Sequence, residues 1–308
     1  MEKTSKPSFS DILKNIFFLL IIIQLAPPII QGIVKQYKNL MEQRTKVAVL
    51  PINGILYNSD PYCKKLRQLF EDKSIKAILI KMECSGGASG TSQTIFDELK
   101  ALKKESPKPI VVLVENICAS GGYNIACATD YIIAPGSAII GSIGASLPYL
   151  FNIKELLERI NVKYTPIAAG AYKNVANPFV DLTPQDKSLL QGVADDAYDQ
   201  FIREVSESRK LSLASSKEWA DGKIFTGRQA KKLGLIDEVG SLENAIQIIK
   251  KKAMIEGLIE WVHPPVKFSF WNFFRGDSGQ EEESSMFASM ASQIGNYLEQ
   301  RYSAKAIA

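Results

Sequence analysis

The chain contains KAILIKMECSGGASG at residues 76–90 and PIVVLVENICASGGYNIACA at residues 109–128. Each stretch begins with a short run of aliphatic residues, which is typical of a buried strand. A pair of glycines then indicates a turn, and a helical pattern follows the turn. Two strand, turn and helix units in succession predict a mostly parallel sheet with flanking helices, which is an α/β fold.

The same alternation continues on both sides of these units. The predicted strands are residues 47–57, 76–82, 109–117, 130–134 and 162–168, and the predicted short helices lie near residues 92–104 and 154–160. A long amphipathic helix is expected from Pro184 to about Arg209, because Thr183 is a suitable N-cap and proline is favoured at the first helical position. One face of this helix carries Leu189, Val193, Ala197, Phe201 and Val205. The strand-like segment LIDEV (235–239) and a final helix from Glu243 complete the predicted domain.

The pattern divides the chain into three segments. Residues 1–45 contain an apolar stretch at 16–34 that is about long enough to cross a bilayer, so we prefer an N-terminal transmembrane helix over a cleaved signal peptide. Basic residues flank this stretch on both sides and leave its orientation open. Residues 46–265 form the predicted α/β domain. Residues 266–308 form a polar linker and an amphipathic helix. We prefer packing of this helix on a sister subunit or on its own domain over a membrane-surface or substrate-binding role.

Composition excludes several kinds of site. The chain has 308 residues and a net charge of +4, and no basic patch interleaved with aromatic residues indicates a nucleic-acid partner. His263 is the only histidine, which argues against a Ser-His-Asp triad, a Cys-His dyad and most zinc sites, so neither a metal nor a cofactor is expected. The four cysteines, Cys63, Cys84, Cys118 and Cys127, have no C-x-x-C spacing and are interpreted as buried thiols.

The two glycine turns are the first candidates for chemistry. The carboxyl ends of parallel strands meet at one edge of a sheet, and ligands bind at that edge in open α/β folds. Gly86 and Gly87 in the first turn and Gly121 in the second allow a backbone to approach a substrate carbonyl, so their amides are candidates for an oxyanion hole. Phosphate binding is the alternative for either turn, although neither has the phosphate-loop spacing with its lysine.

Ser120 precedes Gly121 and is either a nucleophile or a plain helix N-cap. Without histidine, its base would be a lysine that apolar surroundings keep neutral. Lys173, in GAYKNVANPF (170–179), has few charged neighbours, and the alternative is an ordinary solvated lysine. Ser142, in IGSIGAS (140–146), would either hold the lysine amine or be a turn serine.

These motifs resemble those of the signal peptide peptidase A group of serine peptidases, family S49, in its short single-repeat form. ENICASGGYNIACATD (115–130) is similar to the nucleophile motif, AGAYKNVANPF (169–179) to the lysine motif, and GSIG (141–144) to the element that orients the lysine. TGRQAKKLGLIDEVGS (226–241) is similar to the closing segment of the family. The resemblance extends over residues 47–253, about two thirds of the chain.

The resemblance implies a crotonase-like or Clp-protease-like fold and a Ser-Lys dyad. Ser120 would attack the peptide carbonyl, and Lys173 would take the proton of its hydroxyl. Ser142 would orient the lysine, while the amides of Gly87 and Gly121 would stabilise the oxyanion. Because the neutral lysine is the active form, activity should rise toward alkaline pH.

The resemblance also implies substrates, assembly and location. The substrates would be signal peptides or other apolar, unfolded peptides, and the subunits would form a homo-oligomeric ring. The protein would cross the bacterial inner membrane once. We favour an extracytoplasmic catalytic domain.

One motif departs from the family pattern. Where the family usually has Asp-Ser-Pro-Gly-Gly, this chain has ECSGG (83–87) and lacks the proline that would fix the backbone of the turn. This departure favours one alternative, a membrane-tethered assembly protein of the same fold with weak catalysis. A second alternative is a crotonase-type acyl-CoA enzyme, which would use the oxyanion turns but would need neither Ser120 nor Lys173.

Overall fold

The computed structural model describes residues 17–21, 23–24, 26–28, 30–32, 44–147 and 150–263. The chain divides into two units, residues 1–264 and 265–308, and the second lies outside the described residues. In the described part from residue 44 onward, the strands are β1 (Arg44–Leu56), β2 (Ile75–Gly87), β3 (Ile110–Ala119), β4 (Tyr131–Ala134), β5 (Ile139–Gly141), β6 (Ile224–Thr226), β7 (Glu238–Val239) and β8 (Leu258–Val262). The helices there are α1 (Asp60–Glu71), α2 (Ser89–Glu105), α3 (Gly121–Cys127), α4 (Lys154–Arg159), α5 (Pro184–Arg209), α6 (Ser216–Trp219), α7 (Gly227–Lys232) and α8 (Leu242–Ala253), with a 3-10 turn at Leu213–Ser215.

These strands form one sheet, in which β6, β5, β3, β2, β1 and β8 are neighbours in that order. In addition, β4 pairs with β3 and β7. Every one of these pairs is parallel except the pair of β5 with β6. The predicted α/β architecture, a mostly parallel sheet with flanking helices, is therefore confirmed.

Alternate residues of the central strands pack on opposite faces of the sheet. On β2, Ile78 and Ile80 belong to the core that includes α1, α2 and α3. Ala77 and Leu79 belong to the core that includes Ile249 of α8. All five side chains are at most 2% exposed. A strand buried on both faces consists of a continuous apolar run, which explains why β2 could be predicted from its sequence.

Helix α5 has the predicted bounds. Thr183 and Asp186 form a capping box at its N-terminus, and Pro184 occupies the first turn. The predicted apolar face is covered only in part, since Leu189 is 40% exposed and Val193 is 53% exposed. The first half of α5 therefore presents apolar side chains to the surface.

The second half of α5 is fixed to the domain. Val205 is fully buried, and α5 packs against α3 in this region. Arg209 donates two hydrogen bonds to the carboxylate of Asp237, at 2.9 and 3.0 Å, and a third to the carbonyl of Gly234 at 3.0 Å. These bonds hold the C-terminal end of α5 against the segment that leads into β7.

Some predicted strands differ from the structure. Residues 162–168 form no strand. This segment is exposed and does not pair with the sheet, whose described strand order ends at β6 and β8. The LIDEV segment forms a strand only at its last two residues, because Leu235 and Ile236 are buried in the preceding turn. Strands β5, β6 and β8 were not predicted, since runs of three to five residues carry little periodicity.

The structure describes part of the predicted N-terminal apolar segment and none of the predicted C-terminal segment. The apolar stretch at residues 16–34 is only partly within the described residues, and those residues are helical. Within the described ranges, no helix is both long enough and apolar enough to span a bilayer. The predicted linker and helix at residues 266–308 lie outside the described residues.

We predict that Arg209→Met lowers the free energy of unfolding by about 3 kcal/mol, because it leaves the half-buried carboxylate of Asp237 without its cation. Arg203→Met, at an exposed position of the same helix, should change it by less than about 0.5 kcal/mol. Urea unfolding followed by tryptophan fluorescence measures both values. Equal effects of the two variants would show that the Arg209 contacts do not fix α5.

Candidate active site

Ser120 connects β3 to α3 with an unusual backbone conformation. Its φ of 50° and ψ of −124° lie in a region that residues with a side chain rarely adopt. The Ser120 amide donates to the carbonyl of Gly141 at 2.8 Å, and its carbonyl accepts from the amide of Asn124 at 2.9 Å. The side chain makes no capping hydrogen bond to the helix. The structure therefore holds Ser120 in a strained turn without using its hydroxyl as an N-cap.

The first glycine turn lies directly against Ser120. A Cβ atom built on Gly86 would lie 2.7 Å from the Cβ atom of Ser120. A Cβ atom built on Gly121 would lie 3.6 Å from the amide nitrogen of Gly87. Gly87 itself has a φ of +151°, and a Cβ atom there would lie 2.2 Å from the carbonyl oxygen of Leu56. The structure therefore brings together the two turns that the sequence predicted to meet, and Gly87 has no room for a side chain.

The two turns each place a backbone amide near Ser120. The Ala88 amide donates to the carbonyl of Leu56 at 2.8 Å, which ties the end of the first turn to β1. The amide nitrogen of Gly121 lies 3.2 Å from the position of a Cβ atom built on Gly86. The Gly121 amide belongs to the first turn of α3, where amides have no acceptor within the helix. Two donors beside a serine hydroxyl have the geometry that can stabilise an oxyanion.

The ECSGG turn (83–87) is held by side chains in place of the missing proline. The thiol of Cys84 accepts a hydrogen bond from the Gly86 amide at 3.4 Å. The carboxylate of Glu83 accepts from the backbone amide of Asn116 at 2.7 Å and from its side-chain amide at 3.2 Å. These bonds fix the end of β2 on its own backbone and on β3. These hydrogen bonds therefore restrict the turn, which lacks the proline that is usual in the family.

Ser142 lies near Ser120 along the backbone network. It follows Gly141, which accepts the hydrogen bond from the Ser120 amide. Ser142 also has a positive φ of 50°, and its amide donates to the carbonyl of Lys223 at 2.7 Å. The GSIG element is thus fixed beside the turn that contains Ser120.

Lys173 is not brought to Ser120. Its side chain is exposed, and in the described part of the chain its ammonium group has neither an ion pair nor a hydrogen bond. It belongs to an exposed segment, residues 150–183, and does not line the cavity that contains Ser120. The apolar neighbours of Lys173 in the sequence therefore do not bury it in this conformation.

A cavity of about 170 Å³ opens beside Ser120. The turn residues Gly87, Ser120 and Gly121 line it. Its other lining residues are Ser89, Gly90, Ser92, Gln93, Asn124, Gly144, Ala145, Ala197, Gln200, Phe201 and Glu204. The volume is that of a single side chain, so the cavity is suited to one residue of a larger ligand.

Two polar residues that line this cavity, Asn124 and Glu204, were not predicted as site residues from the sequence. Asn124 lies on the buried helix α3, where the pattern is otherwise apolar, and a polar residue on such a helix is a signal that could have been used. Glu204 lies on α5, and no sequence signal places it near Ser120. Its position depends on how α5 docks on α3.

The comparison with family models decides the family of the chain. The model described as peptidase family S49 matches residues 102–256, which is half of the chain. The chain belongs to peptidase family S49. The matched region includes Ser120, Gly121, Ser142 and Lys173 and begins after Gly87. The predicted resemblance to the S49 family is therefore confirmed.

Several curated proteins resemble this S49 chain over about two thirds of its length. A "Putative protease" of Synechocystis is 37% identical over 66% of this chain and 73% of its own length. A "Putative protease" of Methanocaldococcus jannaschii is 36% identical over 63% of this chain and 61% of its own length. The "Putative signal peptide peptidase SppA" of Enterococcus faecium is 31% identical over 67% of this chain and 63% of its own length. This S49 chain thus aligns with less than two thirds of the length of two of these relatives.

The four cysteines are free and buried, which confirms the interpretation of buried thiols. Burial raises the pKa of Cys63, Cys84 and Cys118 above the ordinary value, and it raises the pKa of Cys127 to about 12. Since the thiolate is the reactive form, a raised pKa leaves little of it at pH 8. Cys84 and Cys118 therefore serve the packing below the two turns.

We predict that iodoacetamide alkylates the native protein at pH 8 at least about 10-fold more slowly at each cysteine than the urea-unfolded chain. Mass spectrometry of tryptic peptides measures the rate at each position. Rapid alkylation of Cys118 in the native protein would contradict the closed packing beneath Ser120.

Proposed function

We propose that this S49 chain is a serine peptidase in which Ser120 is the nucleophile and Lys173 is the general base. The observation that carries the proposal is the strained turn at Ser120, which leaves the hydroxyl uncapped beside the Gly87 and Gly121 amides. Strained backbone conformations persist only where the surrounding structure holds them in place, and they are concentrated at functional sites.

The proposed reaction is acyl transfer to water. Lys173 takes the hydroxyl proton of Ser120 while the oxygen attacks the peptide carbonyl, and the Gly87 and Gly121 amides bind the resulting oxyanion. The lysine then gives this proton to the leaving amine as the peptide bond breaks. Water hydrolyses the acyl-enzyme with the neutral lysine again as base. Ser142 would accept a hydrogen bond from the lysine amine and orient it.

The proposal requires Lys173 to reach Ser120 from an exposed segment. Residues 150–183 carry large apolar side chains without cover, including Phe151 at 73% exposed and Ile167 at 98% exposed. Such side chains favour packing against another surface. Either this segment closes onto its own domain when a peptide binds, or it packs on a neighbouring subunit of a homo-oligomeric ring.

We propose unfolded polypeptides, including signal peptides, as the substrates. The cavity beside Ser120 takes one side chain, so the rest of the peptide must lie extended across the turns. An N-terminal anchor at residues 16–34 in the inner membrane would keep the domain near membrane-released peptides. No metal or cofactor takes part in the proposed chemistry.

We predict that the full chain cleaves an unfolded protein such as reduced casein, and that Ser120→Ala and Lys173→Ala each lower kcat by at least about 1,000-fold. Lys187→Ala is a control for loss of a lysine in the same region. Circular dichroism and gel filtration check the folding and assembly of all variants. If all variants, including the parent, lack activity, the weak assembly protein is favoured instead.

Co-expression of the two inactive variants shows whether Lys173 acts on the serine of its own subunit or on that of a neighbouring subunit. If a neighbouring subunit supplies Lys173, rings that mix Ser120→Ala and Lys173→Ala chains regain activity, because some sites combine an intact serine with an intact lysine. If the segment closes onto its own domain, the mixed rings stay inactive.

We predict that Gly87→Ala lowers kcat by about 100-fold or more, because the added methyl group displaces the turn from Leu56 and moves an oxyanion donor. Gly192→Ala, on an open surface of α5, adds the same methyl group without a contact and should leave activity within about twofold. Casein hydrolysis measures both variants, with thermal unfolding as the folding check. Similar activity of the two would remove Gly87 from the proposed mechanism.

A further inference from the structure

The cavity beside Ser120 carries one charged side chain. Among the described residues that line it, only Glu204 is ionisable with a charge at neutral pH. In the described part of the chain, no lysine, arginine or histidine forms an ion pair with Glu204. The cavity thus contains a carboxylate that forms no ion pair with the described residues.

Hydrogen bonds fix this carboxylate from two sides. The side-chain amide of Asn124 donates to one carboxylate oxygen of Glu204 at 2.6 Å, and Gln200 donates to the other at 3.1 Å. A carboxylate can accept about four hydrogen bonds, so Glu204 retains the capacity to accept more. The bond from Asn124 is short, which indicates a well-held group at the junction of α3 and α5.

Asn124 supplies a second, independent observation. Its side chain is part of a residue that is only 4% exposed, yet its oxygen Oδ1 has no hydrogen-bond partner. Buried acceptors without a partner are rare in folded proteins, because each costs free energy. The same residue lines the cavity. The oxygen itself is almost fully covered, so an occupant that donates a hydrogen bond would satisfy it once the Asn124 side chain shifts toward the cavity.

We propose that Glu204 and Asn124 form a subsite for a lysine or arginine side chain of the substrate peptide, next to the bond that Ser120 attacks. The proposal rests on the peptidase function proposed above and names one element of its specificity. The ammonium or guanidinium group would donate to the Glu204 carboxylate, and a shift of the Asn124 side chain would let it donate to Oδ1 as well. Phe201 and Ala197 line the same cavity and would contact the aliphatic stem of the side chain.

Discrimination would come from desolvation as well as attraction. An aliphatic side chain in the cavity would displace water from Glu204 and leave the remaining acceptor sites of its carboxylate without a donor. An acidic side chain would meet a like charge. Only a cationic side chain both replaces the lost water and neutralises the carboxylate.

The test uses the full chain and a series of peptides that differ at one position. Lysine, arginine, norleucine and glutamate are placed in turn at each residue around the cleavage site, norleucine being a neutral match for the lysine stem. At one position, we expect kcat/KM for lysine to exceed that for norleucine by at least about 10-fold. In Glu204→Gln, which keeps the shape and loses the charge, this ratio should fall to within about twofold. Glu207→Gln, at an exposed position of α5 outside the cavity, should keep the parent ratio.

Two outcomes would overturn the subsite. In the first, no position distinguishes lysine from norleucine in the parent. In the second, Glu204→Gln changes the rates of all peptides by the same factor and moves the pH at which activity rises, because Glu204 would then act on Lys173 and not on the substrate.

A binding measurement separates the subsite from the peptidase function. In Ser120→Ala, the lysine peptide should bind at least about 10-fold more tightly than the norleucine peptide by fluorescence anisotropy, and the added Glu204→Gln change should abolish the difference. If the parent cleaves casein but these peptides bind equally, the subsite fails and the peptidase function stands. If nothing is cleaved but the lysine preference in binding holds, the peptidase function fails and the subsite stands as a peptide-binding site.

Discussion

The first turn of α3 approaches the end of β2 and the start of α2 so closely that neither Gly121 nor Gly122 has room for a side chain. A Cβ atom on Gly122 would lie 2.9 Å from the Cβ atom of Cys84, and one on Gly121 would lie 2.9 Å from that of Ser92. Because glycine permits this contact, the chain leaves β3 against the first turn and changes direction at a single residue, Ser120. The positive φ of Ser120 occurs at this change of direction, and Ser120 lines the cavity there.

The central part of the fold could be predicted because its signals are local. The cores of β2 and β3 are buried on both faces, so each is a continuous aliphatic run in the sequence. The short strands β5 and β6 have no such signal, since their pairing joins Ile139–Gly141 to Ile224–Thr226, which are far apart in the chain. Residues 162–168 show the opposite error. Their short run of apolar and β-branched residues is typical of a strand, but in the described structure this exposed segment does not pair with the sheet.

The candidate site also contains residues that could be predicted from local signals and residues that could not. Ser120 and Gly87 could be placed together because each follows a strand of one parallel sheet, and the ends of such strands meet. Lys173 could not be placed, because its surroundings depend on how residues 150–183 pack and not on which residues adjoin it. Apolar neighbours lower the pKa of a lysine only when they exclude water from it. Glu204 was missed for a related reason, since the docking of α5 on α3 brings it to the cavity.

The Glu204 carboxylate and the exposed apolar side chains of residues 150–183 together favour one kind of peptide. A wholly apolar segment would cover the Glu204 carboxylate without supplying a positive charge, and that cost would oppose binding at the residue nearest the reaction. A highly charged segment would gain nothing from the exposed apolar side chains of residues 150–183. A peptide with a single cationic residue inside an apolar stretch satisfies both. The two kinds of surface would thus select the position of cleavage within a peptide, while apolarity alone would select only the peptide.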